Sequence, residues 1–133
     1  MLKDSKAVAT VATRDMPRAH AFYSETLGLP TMIAMDGIAA YQLPDGSAVF
    51  VYLRPNNRPA ENTAVTFIVS DIEAEMADLR TRGVTFEEYD IPEMGVKTVD
   101  GVASFDEGGG GKAAWFKDPD GNILSLGTIP PTP

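Results

Sequence analysis

Side chains able to do chemistry are few in this chain, and they are scattered. His20 is the single imidazole, and there is no cysteine. The absence of cysteine removes thiolate metal sites, a thiol nucleophile and any disulfide framework. His20 falls mid-helix beside Phe22 and Tyr23 with no partner in sequence reach, so the expected role is surface or helix packing. Carboxylates come in two adjacent pairs, Glu87–Glu88 and Asp106–Glu107. Neighbours on a strand point to opposite faces, so the first pair is no catalytic dyad. The second pair sits in a glycine-rich run, and both read as solvated. Among the carboxylates, Glu88 and Asp90 remain as acid–base candidates. "EGGGGK", residues 107–112, has glycines and a lysine but lacks the preceding strand and the spacing of a phosphate loop. No G-x-S-x-G and no dinucleotide fingerprint is present.

Bulk properties narrow the classes further. The 133 residues suit one domain, and 44% apolar with 23% charged residues is the make-up of an ordinary soluble globule. A net charge of −8 argues against a sequence-independent grip on nucleic acid and mildly favours cationic ligands. No apolar run approaches the roughly 20 residues needed to span a bilayer. "MLKDSKAV" has no apolar signal core. A cytoplasmic protein that engages neither membrane nor nucleic acid is the expectation.

The elements that must position anything functional are written twice. "PDGSAVFVYL" at 44–53 and "DPDGNILSL" at 118–126 share a turn that leads into an apolar run. Asp15 opens a helical stripe of Ala19, Phe22, Tyr23 and Leu27 that stops at Gly28. Asp71 opens another, Ile72, Met76 and Leu79, that stops at Gly83. Strands are expected at 6–13, 31–35, 38–43 and up to 53 in the first half. The second half predicts strands at 64–69, 84–89, 113–117 and 123–126, with a hairpin at Asp100–Gly101. The reading is an α+β fold of two βαβββ modules, at about 6–53 and 63–129. Residues 54–62 form the linker and 130–133 a tail. The connection at 90–112 is longer than its counterpart, and its four glycines disfavour regular structure. The stretch Met94–Gly111 is a candidate lid.

Two such modules, with "RDMPRAHAFYSETLGL", "SDIEAEMADLRTRGV" and "WFKDPDGNILSL" in order, resemble the vicinal oxygen chelate superfamily of glyoxalase I, extradiol dioxygenases and bleomycin resistance proteins. The resemblance covers about residues 6–129. It implies a curved mixed sheet, or cup, with helices outside. In the metalloenzymes of that group, the first strand of each module supplies His or Gln and the last strand supplies Glu. Carried over, those positions are Val8, Ala64, Phe50 and Ser125. No ligand set for a divalent ion results, and a one-residue slip recovers none. The resemblance therefore implies a member without the usual metal, and no cofactor.

Strand parity extends the cup lining from these positions. Thr10, Thr66, Tyr52 and Ile123 share their faces with Val8, Ala64, Phe50 and Ser125. If each "PDG" loop holds three residues, Gln42 and Trp115 lie across the hairpins on the same side; two-residue loops would place Tyr41 and Phe116 there instead. Ile123 reads as core, and Phe50 as core or lining. The candidate ligand-binding set is Thr10, Gln42, Phe50, Tyr52, Thr66, Trp115 and Ser125. Aromatic and apolar with a few hydroxyls and an amide, it suits a small hydrophobic or cationic molecule held by a homodimer. The alternative is a lyase, isomerase or dioxygenase that uses atypical ligands or metal-free acid–base work by Glu88, Asp90 or Tyr52. A third reading, an interaction module with a filled cup, predicts no cavity.

Overall fold

Asp15 and Asp71 open their helices in the same way. Each holds an extended backbone (φ −147° and −130°), and each carboxylate accepts a hydrogen bond of 3.1 Å from a backbone N–H three residues on, at Arg18 and Ala74. This satisfies one of the donors that a helix start leaves unpaired. The first helix, α1 (Met16–Ala21), continues into a π-helical turn at Phe22–Thr26. The second, α2 (Ile72–Thr81), is regular and buries Ile72, Met76 and Leu79, as its stripe predicts. The structure is a computed structural model that describes residues 1–105 and 110–128. The carboxylate pair Asp106 and Glu107, part of the glycine run, and the tail at 130–133 lie outside the described residues.

The chain divides into two units, 1–60 with 118–122 and 61–117 with 123–133. In the first, β1 (Ala9–Thr13), β2 (Thr31–Ala34), β3 (Ile38–Gln42) and β4 (Ala48–Leu53) form a mixed sheet in the order β1-β4-β3-β2. Only the β1–β4 pair is parallel. Ala19 and Tyr23 on the helix and Ala39, Tyr41, Val49 and Val51 on the sheet are all buried, which makes this the core of the unit.

In the second unit, β5 (Thr63–Ile68), β6 (Asp90–Ile91), β7 (Val96–Val99), β8 (Val102–Phe105), β9 (Gly111–Lys117) and β10 (Ile123–Gly127) make a six-stranded sheet. Its order is β5-β10-β9-β8-β7-β6. Val65, Ala114, Phe116, Leu124 and Leu126 are buried together with the α2 stripe. The α+β class is as expected, with one helix-bearing mixed sheet for each repeat.

Three local expectations need correction. Residues 84–89 are not a strand; Phe86 makes one isolated bridge to Phe116, and Glu87 donates its N–H to the Trp115 carbonyl at 2.8 Å. Gly83 (φ 93°) follows the end of α2, and Val84 donates its N–H back to the Leu79 carbonyl at 3.0 Å before the crossing. The sheet instead gains β6, β7 and β8 from the long connection. Gly111 begins β9, so the last glycine of the run is in regular structure after all.

The expected hairpin at Asp100–Gly101 is present. Both residues have positive φ (52° and 83°), as the tight primed turn joining β7 to β8 requires. A Cβ on Gly101 would meet the Met76 Cε and the Phe86 Cβ at 3.1 Å each. Gly101→Ala combines backbone strain with this clash, and the expected loss is about 1–3 kcal/mol, read from urea unfolding midpoints.

Candidate functional site

Both "PDG" loops hold three residues, which decides the parity left open by the sequence. Leu43 donates to the Ser47 carbonyl and Asp118 to the Asn122 carbonyl, with Gly46 and Gly121 at φ 92° and 90°. The register that follows sets Gln42 opposite Ala48 and Ala40 opposite Phe50. Phe50 also lies beside Thr10 in the parallel pair, and Tyr52 beside Ala12. Thr10, Gln42, Phe50 and Tyr52 thus share the sheet face opposite α1. Tyr52 is 37% exposed, Phe50 half-buried, and Thr10 and Gln42 exposed. Tyr41 belongs to the helix side.

In the second unit, Ser125 lies between Trp115 and Thr66. The hydroxyls of Thr66 and Ser125 are hydrogen-bonded at 2.7 Å. Phe116 takes the α2 side. The half-buried Trp115 ring meets Tyr89 edge-on, centroids 5.5 Å apart and planes at 77°. Sequence reasoning missed Tyr89 because it treated 84–89 as a regular strand. The only signal was an aromatic residue near Trp115 at an uncertain register. Burial raises the Tyr89 phenol above its usual value, with the Glu87 charge adding to it. Glu88 and Asp90 are exposed.

The four positions where a relative's metal would be held present two aliphatic groups, a phenyl ring and one hydroxyl. Val8 is 39% exposed just before β1, and Ala64 falls at the register shift between β5 and β10. Ser125 already bonds to Thr66. This donor set does not fit a divalent ion. Among the described residues, no three His, Cys, Asp or Glu side chains gather as ligands elsewhere.

The acidic residues of the second turn do structural work. Asp118 is 6% exposed. Its carboxylate accepts from the Tyr23 hydroxyl (2.7 Å), the Asn122 amide (2.8 Å), and the backbone N–H groups of Asp120 (3.0 Å) and Asn122 (2.9 Å). Burial raises this carboxyl above the usual range, and the donors from Asn122 and Tyr23 oppose that. Asp120 accepts from the Thr13 hydroxyl at 2.5 Å, the Arg14 N–H at 2.9 Å and the Arg18 guanidinium at 3.0 Å. Burial pushes Asp120 up, but the bonds from Thr13 and Arg14 and the Arg18 charge outweigh it and hold the group below its ordinary value.

The two shifts act oppositely in acid. A depressed carboxyl stabilises fully above its unfolded pKa of about 3.9, and that stabilisation disappears as pH falls through the folded value. Asp118, being raised, takes up its proton more readily in the folded chain and offsets part of that loss. Asp120→Asn is therefore expected to be less stable at pH 7 by about 1–3 kcal/mol. It should also lose less stability than the parent below about pH 4, in urea titrations across pH 3–7.

His20 does have a partner. Its Nδ1 is 2.7 Å from the Tyr41 hydroxyl, and the two rings stack at 5.8 Å. Tyr41 stacks in turn on Tyr23 at 5.7 Å. This sustains the helix-packing role. The three-residue loop turns Tyr41 towards α1, but the sequence carries no signal for the bond itself. A cleft of about 580 Å³ beside His20 is bordered by Met16, Met35, Asp36 and Leu53 and includes none of the seven candidate residues. Within each unit those seven form sheet faces.

The family model described as Glyoxalase/Bleomycin resistance protein/Dioxygenase superfamily matches residues 7–126. A solved glyoxalase/bleomycin resistance protein from Catenulispora acidiphila is 27% identical. The match spans 94% of this chain and 98% of that one, with a TM-score of 0.64. A glyoxalase/bleomycin resistance protein from a Streptomyces species is 24% identical over 92% and 98%, TM-score 0.64. A bleomycin resistance determinant encoded on the transposon Tn5 is 22% identical over 93% and 97%, TM-score 0.68. These last two show likeness of fold. No curated protein matches the chain. Among the described residues, no helix is long and apolar enough to cross a membrane.

Proposed function

The chain belongs to the Glyoxalase/Bleomycin resistance protein/Dioxygenase superfamily, and on that premise we propose that it binds a small hydrophobic or cationic molecule without the help of a metal ion. The ligand contacts are assigned to Thr10, Gln42, Phe50 and Tyr52 on the first sheet and to Thr66, Trp115 and Ser125 on the second. The observation that carries this reading is the wall of Trp115 and Tyr89 beside the Thr66–Ser125 hydroxyl pair. Aromatic surface with a few placed hydroxyls suits recognition of a compact apolar or cationic ligand, through burial, stacking and cation–π attraction. The net charge of −8 favours the cationic case. The bleomycin resistance determinant among the fold's relatives supports sequestration as the purpose.

The protein is proposed to work as a cytoplasmic homodimer, which sedimentation equilibrium tests. Trp115 is the sole tryptophan and so reports directly on the site. A panel of aromatic and cationic compounds should contain members that change its emission and raise the melting temperature. A ligand at 100 times its Kd adds about 2.7 kcal/mol. Unchanged emission and melting across the panel would reject the proposal, and a stoichiometric transition metal in the purified protein would redirect it to catalysis.

A further inference from the structure

A second cleft lies on the opposite face of the six-stranded sheet from Trp115. It occupies about 440 Å³ beside α2. Register explains its chemistry. Thr98 pairs with Ala103 and Ser104 with Lys112, which brings Lys97, Ser104 and Lys112 into one row across β7, β8 and β9. α2 adds Glu73, Met76 and Arg80 to the same lining.

Arg80 is held in place from two sides. Its guanidinium sits 5.2 Å from the Phe86 ring centroid and donates to the Asp100 carbonyl at 3.1 Å. The turn carrying that carbonyl lies close to Met76, whose Cε would be 3.1 Å from a Cβ at Gly101. Lys112 is paired with Glu73 at 2.8 Å, an exposed bridge of the kind that contributes little to stability. Lys97 is exposed and makes no ion pair among the described residues. Three of the eleven Lys and Arg residues of an acidic chain converge here.

We propose that this cleft binds an oxyanion, a phosphate or carboxylate carried by a small molecule. Arg80 supplies a fixed fork of donors, Lys97 and Lys112 supply mobile charges, and Ser104 supplies a hydroxyl. Met76 offers apolar floor to the carbon atoms next to the anion. Glu73 acts as a resident competitor that occupies Lys112 until an anion displaces it.

The test is a titration of the full chain with inorganic phosphate, phenyl phosphate and benzoate at constant ionic strength, followed by amide chemical shifts. Shifts should saturate together at residues 73–80, 97–104 and 112. Lys97→Glu should weaken binding at least tenfold, and Lys117→Gln, outside the lining and paired with Glu87, should leave it unchanged. Glu73→Gln should tighten binding several-fold because it frees Lys112, an effect that general damage to the fold cannot imitate. Preference for phenyl phosphate or for benzoate identifies which oxyanion the site takes. Equal, unsaturable shifts at all lysines, or unchanged affinity in both Lys97→Glu and Glu73→Gln, would overturn the proposal. The outcome is independent of ligand binding at Trp115.

Discussion

Asp118→Ala is expected to cost about 3–5 kcal/mol, read as a fall in the urea midpoint with an unchanged slope. Four donors converge on that one buried carboxylate. An alanine leaves each of them without this acceptor, and every stranded buried polar group costs about 1–3 kcal/mol. Tyr23, fully buried, loses the acceptor of its hydroxyl. Tyr23→Phe removes one donor and leaves three, so its cost should be smaller, about 1–2 kcal/mol. The double variant should be less destabilised than the two single losses added together, because the partners share one network. A change within about 0.5 kcal/mol for Asp118→Ala would place it with ordinary surface substitutions and refute the structural role.

The second large effect concerns ligand capture. Trp115→Ala should weaken binding of any compound found in the panel by about 30-fold or more, since truncating a central aromatic anchor costs about 2 kcal/mol or more. The variant has no tryptophan, so calorimetry replaces fluorescence as the readout. Trp115→Phe should recover part of the affinity by restoring a ring for Tyr89 to meet edge-on. Undiminished affinity in Trp115→Ala would move the ligand elsewhere and leave the assigned face without a purpose.

Much of the framework was legible because it rests on short-range rules. Asp15 and Asp71 cap helices by local geometry, and Gly46 and Gly121 close three-residue loops at positive φ. Once those loops are counted, period-two alternation places Gln42, Phe50, Trp115 and Ser125 without further information. What the sequence hid depends on distant partners. The spacing of 21 residues between His20 and Tyr41 contains nothing that announces their bond. The same holds for Thr13 and Asp120, separated by 107. Residues 84–89 look like a strand by composition, but bridging at Phe86 alone was a tertiary decision. The candidate binding set was reached through a family likeness added to parity, and parity alone would not have selected it.

The two turns look alike in sequence and serve different ends. Asp45 satisfies its own loop through Ser47, whereas Asp118 and Asp120 reach residues 95 and 107 positions earlier. During synthesis, a nascent chain that has emerged as far as residue 60 holds the Tyr23 hydroxyl with its acceptor, Asp118, still untranslated. The earlier half must therefore wait for a five-residue insert made much later before its interior is satisfied. The leading half, if it folds first, does so with that buried hydroxyl unsatisfied, and its final packing is completed only when residues 118–122 arrive.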